Sequence, residues 1–331
     1  MGWAGSRVVL RNSGRTTTSP NLTRSDMRSP SSSFQMMVLS VSLGLAACGG
    51  GGSNSSAGGG GGGSGGATTP STGAPYGTFE IHYKTDLDFT SVEGVMRDGV
   101  PPQAVLWEKK KTEGECSLYT PTIPFCDTCL PPNVCAAEND CRTPPSTYAV
   151  GTISITGLNS TSSPLVITPV RATTITYQSA EALPLPPCTE GAPIRLDATG
   201  EGDFPAFGID IKCIAPLEIT NKSIAIESGK AFTLTWKAGT VEGARIHLEF
   251  DLSHHGGSKG RLICETGDTG SLTVSGALIK SLMDLGVTGW PKADVTRILT
   301  AKTTVGSGQA QLKIYADKEF VVEIPGLVSC N

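Results

Sequence analysis

Residues 245–252 read RIHLEFDL, a strict alternation of polar and apolar side chains over eight positions. A period of two places the apolar side chains on one face of a β-strand and the polar side chains on the other. This pattern is typical of an antiparallel sheet that covers a core with one face and meets water with the other. The polar face of this strand is predicted to be solvated, with docking of a partner as the alternative.

The same alternation recurs along the chain from Tyr76 onward. Gly, Pro, Asn and Asp separate short runs that alternate in this way, among them residues 153–155, 209–213, 232–237 and 312–314. About a dozen such runs at fairly regular spacing predict an all-β fold of antiparallel, immunoglobulin-like β-sandwich architecture.

One short helix is predicted to interrupt the strands. Ser275 is a candidate N-cap, and Gly286 stands where helix C-termini favour glycine. Between them, Leu278, Leu282 and Leu285 fall on one stripe. The helix is predicted to close one end of a sandwich.

The folded region is predicted to divide near Ala215-Pro216. Residues 76–215 would form a first β-sandwich, and residues 216–331 a second one of the size of an immunoglobulin-like domain. A single larger sandwich is the alternative.

The composition restricts the class of protein. The net charge of −4 lacks the basic excess of nucleic-acid-binding proteins, so no nucleic-acid partner is expected. Ten cysteines are too few for a pure disulfide scaffold but many for a reducing cytosol. The chain has no run of about eighteen apolar residues, and no membrane-spanning helix is predicted.

The residues before Tyr76 are predicted to form a targeting segment and a tether instead of a folded domain. Residues 36–47 read MMVLSVSLGLAA, and such a run spans only ~18 Å of a ~30 Å hydrocarbon core. This length fits a secretory signal, assigned to residues 1–47, with a true start near Met27. Twelve of the eighteen residues from 49 to 66 are Gly, so residues 48–75 are predicted to form a disordered Gly/Ser tether.

The apolar run ends in the residues Leu45-Ala46-Ala47-Cys48. This motif resembles the lipobox of bacterial lipoproteins. The resemblance implies a thioether-linked lipid on Cys48, cleavage just before this residue and acylation of the new amino terminus. Gly49 instead of Asp after the cysteine implies the outer membrane, so the predicted location is the cell envelope. An ordinary cleaved signal followed by an incidental cysteine is the alternative.

Five cysteines lie within residues 116–141, in a Pro-rich insert that spans 116–145. Their C-x2-C pair can begin a zinc site, but an exported chain meets an oxidising compartment, which favours disulfides. Because the insert has few apolar residues to bury, disulfides are predicted. The insert resembles Cys-rich inserts of uncharacterised surface lipoproteins of myxobacteria. Residues 202–207 and the final Ser329-Cys330 also resemble segments of these lipoproteins. That resemblance implies no known activity.

The other cysteines are predicted to form the bridges Cys188–Cys213 and Cys264–Cys330. Cys213 and Cys264 lie on the apolar phase of their strands and are expected to point inward. Nine cysteines follow Cys48, so at least one is expected to have no intramolecular partner. The disulfide candidates are Cys116, Cys126, Cys129, Cys135, Cys141, Cys188, Cys213, Cys264 and Cys330.

Two motifs carry weak catalytic signals. Asp268-Thr269-Gly270 matches the tripeptide of aspartic proteases, but such enzymes need two facing carboxylates, and the sequence has no second copy. The tripeptide is equally typical of a turn. His254 and His255, together with Asp251, could hold zinc, and a glycine-rich loop with solvated histidines is the alternative.

Trp290 is the candidate for ligand contact. It stands between Gly289 and Pro291, where an exposed tryptophan could stack on a sugar ring or anchor a protein partner. Packing over the sandwich end is the alternative. The lysines at 109–111 are predicted to lie in a solvated loop.

These observations predict a non-enzymatic surface lipoprotein that binds or scaffolds an envelope protein or a glycan. No catalytic residue and no cofactor are predicted, and the membrane is contacted through the lipid anchor. Two alternatives remain open: a structural envelope component assembled through disulfides, and a metal-dependent hydrolase built around His254 and His255.

Overall fold

The computed structural model describes residues 74–85, 88–103 and 105–326. The predicted signal, Cys48, most of the predicted tether and Cys330 lie outside the described residues. The described residues belong to one compact unit, Gly66–Asn331. Among them, no helix has the length and hydropathy that a membrane crossing needs.

The regular secondary structure of the described chain is almost entirely β-strand, which confirms the predicted all-β class. It contains one helix, α1 (Gly276–Asp284). The strands in chain order are β1 (Tyr76–Lys84), β2 (Phe89–Arg97), β3 (Leu106–Glu113), β4 (Cys116–Thr122), β5 (Val134–Ala137), β6 (Asp140–Arg142), β7 (Thr147–Tyr148), β8 (Ile153–Thr156), β9 (Leu165–Ile167), β10 (Val170–Arg171), β11 (Ile175–Gln178), β12 (Pro193–Ala198), β13 (Phe207–Lys212), β14 (Ile224–Ala225), β15 (Phe232–Thr235), β16 (Arg245–Asp251), β17 (Arg261–Gly267), β18 (Ser271–Val274), β19 (Lys292–Val305) and β20 (Gly308–Glu323).

Most strands join one large sheet, which we call the back sheet. Its order is β10-β11-β2-β1-β20-β19-β16-β17-β4-β3, and β7 and β14 pair with β2 and β20. The pairing of β1 with β20 and of β14 with β20 is parallel, in a sheet that is otherwise antiparallel. The predicted antiparallel sheet is therefore locally mixed, because the parallel pairs join strands far apart in the chain and need no hairpin.

The alternation appears in β16 as predicted over residues 245–250, but Asp251, which was expected on the solvated face, is buried at 4% exposure. Ile246, Leu248 and Phe250 are fully buried, whereas Arg245 points outward. The period of two therefore decides which face of the back sheet meets the core.

Two layers cover the inner face of the back sheet. A sheet in the order β13-β12-β8-β9 covers one part, where the rings of Phe207 and Phe79 lie 6.0 Å apart. The pair β15–β18 covers another part, where the rings of Phe232 and Phe250 lie 5.9 Å apart in an edge-to-face arrangement. Buried residues of both parts form one continuous core.

The predicted boundary at Ala215-Pro216 does not separate two sandwiches. Strands from both sides of it, such as β1 and β20, lie side by side in the back sheet. A disulfide also joins Cys116 of β4 to Cys264 of β17 across it. The two-domain prediction is therefore corrected to a single larger sandwich. Near this boundary the chain passes from the covering sheet β13-β12-β8-β9 to the covering pair β15–β18. Pairing between the two ends of the folded region has no local sequence signal.

The helix α1 forms where it was predicted. The side chain of Ser275 caps it by accepting a hydrogen bond from the backbone N–H of Leu278. Leu278 and Leu282 are buried. Gly286 follows the helix with φ of +104°, a conformation that glycine adopts without steric cost. The helix packs against β3, β4 and β17 and closes that end of the core.

The lysines at 109–111 lie on the edge strand β3, which corrects the predicted loop. The register between β3 and β4 shifts between Lys109 and Lys111, as at a β-bulge. Charged side chains and a bulge on an edge strand hinder pairing with a further strand. This cluster therefore protects the open edge of the back sheet.

Candidate functional site

The structure brings together Trp290 and the paired histidines, which the sequence analysis treated separately. The backbone N–H of Trp290 donates a hydrogen bond to the carbonyl oxygen of His254 at 2.7 Å. The rings of His254 and His255 lie 4.0 Å apart. Trp290 is 40% exposed. The exposed tryptophan and the two histidines therefore lie on loops that are joined by a backbone hydrogen bond.

Glycine is required where these two loops meet. A Cβ atom on Gly289 would lie 2.2 Å from the carbonyl oxygen of His254, and one on Gly256 would lie 2.6 Å from Thr288 Oγ1. Gly289 also has φ of +65°. The close approach of the loops thus depends on the absence of side chains at both positions.

Asp251 supports the histidine loop instead of completing a metal site. Its Oδ1 accepts hydrogen bonds from the backbone N–H and the hydroxyl of Ser253, at 2.9 and 3.2 Å. Its Oδ2 is 3.9 Å from His254 Nδ1. Across the described ranges, the groups of three close metal-ligating side chains include neither His254 nor His255.

Asp268 of the protease-like tripeptide lies in a buried ion pair. Its Oδ2 is 2.7 Å from Arg297 Nε, and the two side chains are only 5% and 1% exposed. Trp236 Nε1 donates to Oδ1 at 2.7 Å, and the Gly239 N–H donates to Oδ2 at 3.0 Å. Both carboxylate oxygens are therefore engaged inside the protein.

Arg297 connects this ion pair to the backbone. Its Nη1 donates to the carbonyl oxygens of Ala215 and Pro216 at 3.0 and 2.9 Å, and its Nη2 donates to that of Lys237 at 2.6 Å. Asp268 and Arg297 thus fix the segment between the two covering layers on the back sheet. The geometry supports the turn interpretation of Asp268-Thr269-Gly270, with a structural role for the aspartate.

Four disulfides link eight of the nine predicted cysteines, and the ninth, Cys330, lies outside the described residues. The predicted Cys188–Cys213 bridge is confirmed, and Cys213 and Cys264 are fully buried as expected. The predicted Cys264–Cys330 bridge is wrong. Because β4 pairs with β17, Cys116 stands directly opposite Cys264 and bonds to it instead.

The other two disulfides lie in the Cys-rich insert. Cys126 bonds to Cys135, and Cys129 bonds to Cys141. The thiols that formed the alternative zinc site are therefore consumed by these two bonds. Beyond β4, the insert carries only the short hairpin β5–β6, so the covalent links compensate for the small apolar content of that part.

The outer face of the back sheet holds two histidines, His82, which was not predicted to belong to a site, and His247, on the strand face for which docking was the alternative. His82 Nε2 lies 3.1 Å from Glu80 Oε2 and 3.5 Å from Glu93 Oε1, and His82 Nδ1 lies 3.4 Å from Asp317 Oδ2. Burial alone would lower the pKa of His82, but hydrogen bonds to Asp317 and Glu80 and their negative charges raise it to about 9.

The second histidine has a different set of neighbours. His247 Nδ1 contacts Glu265, and His247 Nε2 lies 3.7 Å from Glu249 Oε2. Glu249 is also paired with Arg261 Nη1 at 3.1 Å. Burial alone would lower the pKa of His247, but its interactions with Glu249 and Glu265 raise it to about 9.

A local signal for the His82 cluster exists in the sequence. Glu80 and His82 are two residues apart in an alternating run, so a strand places both on one face. Glu93 joins them because β1 and β2 pair with Glu80 directly opposite Glu93. That register depends on the hairpin and could not be read from spacing alone.

Comparisons with known proteins do not assign the chain to a family. Neither a protein-family model nor a curated protein matches the chain. A solved structure of the FN1–FN3 domains of chicken CNTN1 is similar at 9% identity over 70% of this chain and 78% of that chain, with a TM-score of 0.20. A tetra-tandem repeat in the extending region of a large adhesion protein is similar at 11% identity over 74% of each chain, with a TM-score of 0.19. With TM-scores this low, neither likeness contributes to the assignment of fold or function.

Proposed function

We propose that this protein is a non-catalytic lipoprotein of the cell envelope. Its lipid anchor would hold the β-sandwich at a membrane surface, where the sandwich binds or scaffolds a partner. The observation that carries the proposal is the set of four disulfides in the body. Disulfides of this density are typical of an oxidising compartment outside the cytosol. This environment agrees with the predicted export signal and with a lipid on Cys48.

The positions of the candidate catalytic groups favour binding over catalysis. Asp268 is held by Arg297 and Trp236, so neither of its oxygens is free to activate a water molecule. Asp251 orients the loop that carries His254. Accessible features include an exposed ring at Trp290 and a polar sheet face, which suit contact with a glycan or an envelope protein.

Mass spectrometry of the native amino terminus tests the anchor. We expect the chain to begin at a lipid-bearing Cys48 and to fractionate with membranes, whereas Cys48→Ala should release it. Cys330→Ala is the matched control because it also removes a cysteine but leaves the lipidation motif intact. An unmodified Cys48, or an upstream segment that remains attached, would overturn the anchored form of the proposal.

A glycan array and a pull-down from envelope extracts test the binding role. We expect capture of at least one glycan class or protein by the wild type, and a loss of capture in Trp290→Ala. Blank results in both assays at physiological concentration would count against binding.

Assembly through disulfides is a second candidate function. It is favoured by the cysteine count, because eight of the nine cysteines after Cys48 pair within the body, which leaves Cys330. Non-reducing electrophoresis of purified envelope tests it. A mixed disulfide that Cys330→Ala removes would support assembly, and a monomer would exclude it.

A further inference from the structure

We propose that Glu80, His82 and Glu93 bind a divalent transition-metal ion of the Zn²⁺ class on the outer face of the back sheet. The cluster lies on the paired strands β1 and β2, away from Trp290 and from the Cys-rich insert. Its members offer one imidazole nitrogen and two carboxylate oxygens, which all lie within 4.8 Å of one another. Imidazole and carboxylate are ligands that zinc accepts in proteins.

Two of the three separations between the ligand atoms are close to those of a tetrahedral site. Zinc bonds to nitrogen and oxygen at ~2.0–2.1 Å, and ligand atoms at the corners of such a tetrahedron lie about 3.3 to 3.4 Å apart. In the structure, His82 Nε2 lies 3.1 Å from Glu80 Oε2 and 3.5 Å from Glu93 Oε1. An ion could therefore enter between these atoms with small side-chain movements.

The arrangement of charge also favours a cation. Glu80 and Glu93 stand directly opposite each other on neighbouring strands, and like charges in that position destabilise a sheet. Asp317 adds a third carboxylate beside His82. The nearby cations are at the periphery: Lys313 Nζ is 3.9 Å from Glu80 Oε1, and Lys84 Nζ is 3.5 Å from Asp317 Oδ2.

Neighbouring groups hold the ligands in the required orientation. Asp317 Oδ2 lies 3.4 Å from His82 Nδ1, so it can accept the Nδ1 proton while the incoming ion replaces the proton on Nε2, which is released to solvent. Tyr315 stacks on the imidazole with ring centroids 4.6 Å apart, and its hydroxyl donates to Glu80 Oε1 at 3.1 Å. A carboxylate behind a metal-binding histidine and a hydrogen bond to a ligating carboxylate are recurrent supports of zinc sites.

The proposed site leaves room for a fourth ligand. Three protein ligands occupy three positions of a tetrahedron, and the side chain of Glu93 is 56% exposed. The site borders a groove of about 490 Å³ that includes Thr78, Arg97 and Lys313 in its lining. Water or a small anion from the groove could complete the coordination, so the ion should exchange with solvent.

The chain contains a matched cluster that lacks these properties. His247 also lies between two glutamates on the same sheet face, but Arg261 is 3.1 Å from Glu249 and supplies the positive charge itself. A metal ion there would have to approach a guanidinium. His247 is therefore the internal control for a histidine in an acidic setting without a metal.

Isothermal titration calorimetry of the full, oxidised, metal-free chain with ZnCl₂ tests the proposal. We expect one ion per chain. His82→Ala should weaken binding by more than tenfold, and Asp317→Asn by roughly 10–100-fold because it removes the group that orients His82. His247→Ala should leave the affinity unchanged. Glu93→Gln serves as a second variant if the histidine variant does not fold. Because Glu93 is exposed, its replacement should leave the fold intact and still lower the affinity for zinc.

Cobalt binding gives a second measurement. Visible absorption of the Co²⁺-loaded chain should show the intense bands of a tetrahedral ion, and Glu93→Gln should remove them. Absence of zinc binding, binding that survives His82→Ala in a folded chain, or binding that depends on His255 would each overturn the proposal. Binding that appears only after reduction would assign the ion to the Cys-rich insert and would overturn it as well.

Discussion

The structural role assigned to Asp268 of the Asp-Thr-Gly tripeptide can be tested directly by breaking its buried ion pair with Arg297. Asp268 accepts from Trp236 through Oδ1 and from Gly239 through Oδ2, while Arg297 lies against both oxygens. Asp268→Asn keeps the size of the side chain but replaces one oxygen with an NH₂ group. This NH₂ group would face an N–H group that now donates a hydrogen bond to the carboxylate oxygen in the same position.

The expected loss of stability follows from burial. Removing one partner of a buried ion pair typically costs about 3–5 kcal/mol, because the remaining charge has no counter-charge and little access to water. Arg297 keeps its three carbonyl acceptors, which places the expected loss near the lower end, at about 3 kcal/mol. For a domain whose free energy of unfolding is about 5–15 kcal/mol, this is a large fraction.

Denaturant-induced unfolding of the oxidised chain, followed by far-UV circular dichroism, measures the effect. Asp210→Asn is the matched control, because Asp210 pairs with Arg195 at 2.7 Å but is 75% exposed. Its loss should stay below about 1 kcal/mol. If Asp268→Asn costs no more than this control, the structural assignment is refuted and Asp268 returns as a candidate functional carboxylate.

Three further predictions concern the cysteines and the polar face. Replacing both Cys116 and Cys264 by Ala should lower the free energy of unfolding by about 2–5 kcal/mol, because the bond closes a separation of 148 residues; unchanged unfolding would contradict this. The pKa of His247 is raised to about 9, so its stabilising contribution is complete below the unfolded value of about 6.5 and is lost as the pH rises through about 9. Unfolding measured across this window should therefore show a smaller loss for His247→Gln than for the wild type. Alkylation under denaturing, non-reducing conditions should label Cys330 and none of the eight bonded cysteines, as read by peptide mass spectrometry.

Local patterns predicted the elements, and their limits explain the errors. The alternation at 245–252 identified β16 and its buried face, and the cap at Ser275 together with the leucine stripe identified α1. Both are properties of neighbouring residues. The division at Ala215-Pro216 failed because the parallel pairing of β1 with β20 depends on the whole chain.

The same limit applies to the sites. Cys264 was correctly predicted to point inward, but its partner depends on the pairing of β4 with β17, which no spacing in the sequence reveals. Likewise, Glu93 becomes a neighbour of Glu80 only through the register of β1 and β2. Periodicity assigns a side chain to a face of a sheet, whereas the tertiary pairing decides which side chains meet on that face.

The pairing of β1 with β20 also sets the order of events during synthesis. β1 leaves the ribosome early, yet its neighbour on one side is the last strand of the fold. At about 5–20 residues per second, the interval between the two strands is on the order of 10–50 seconds. Throughout that time Phe79, Ile81 and Tyr83 have no completed core to enter. Until β20 emerges, the apolar face of β1 lacks one of its two neighbouring strands, so the nascent chain exposes apolar surface that favours aggregation.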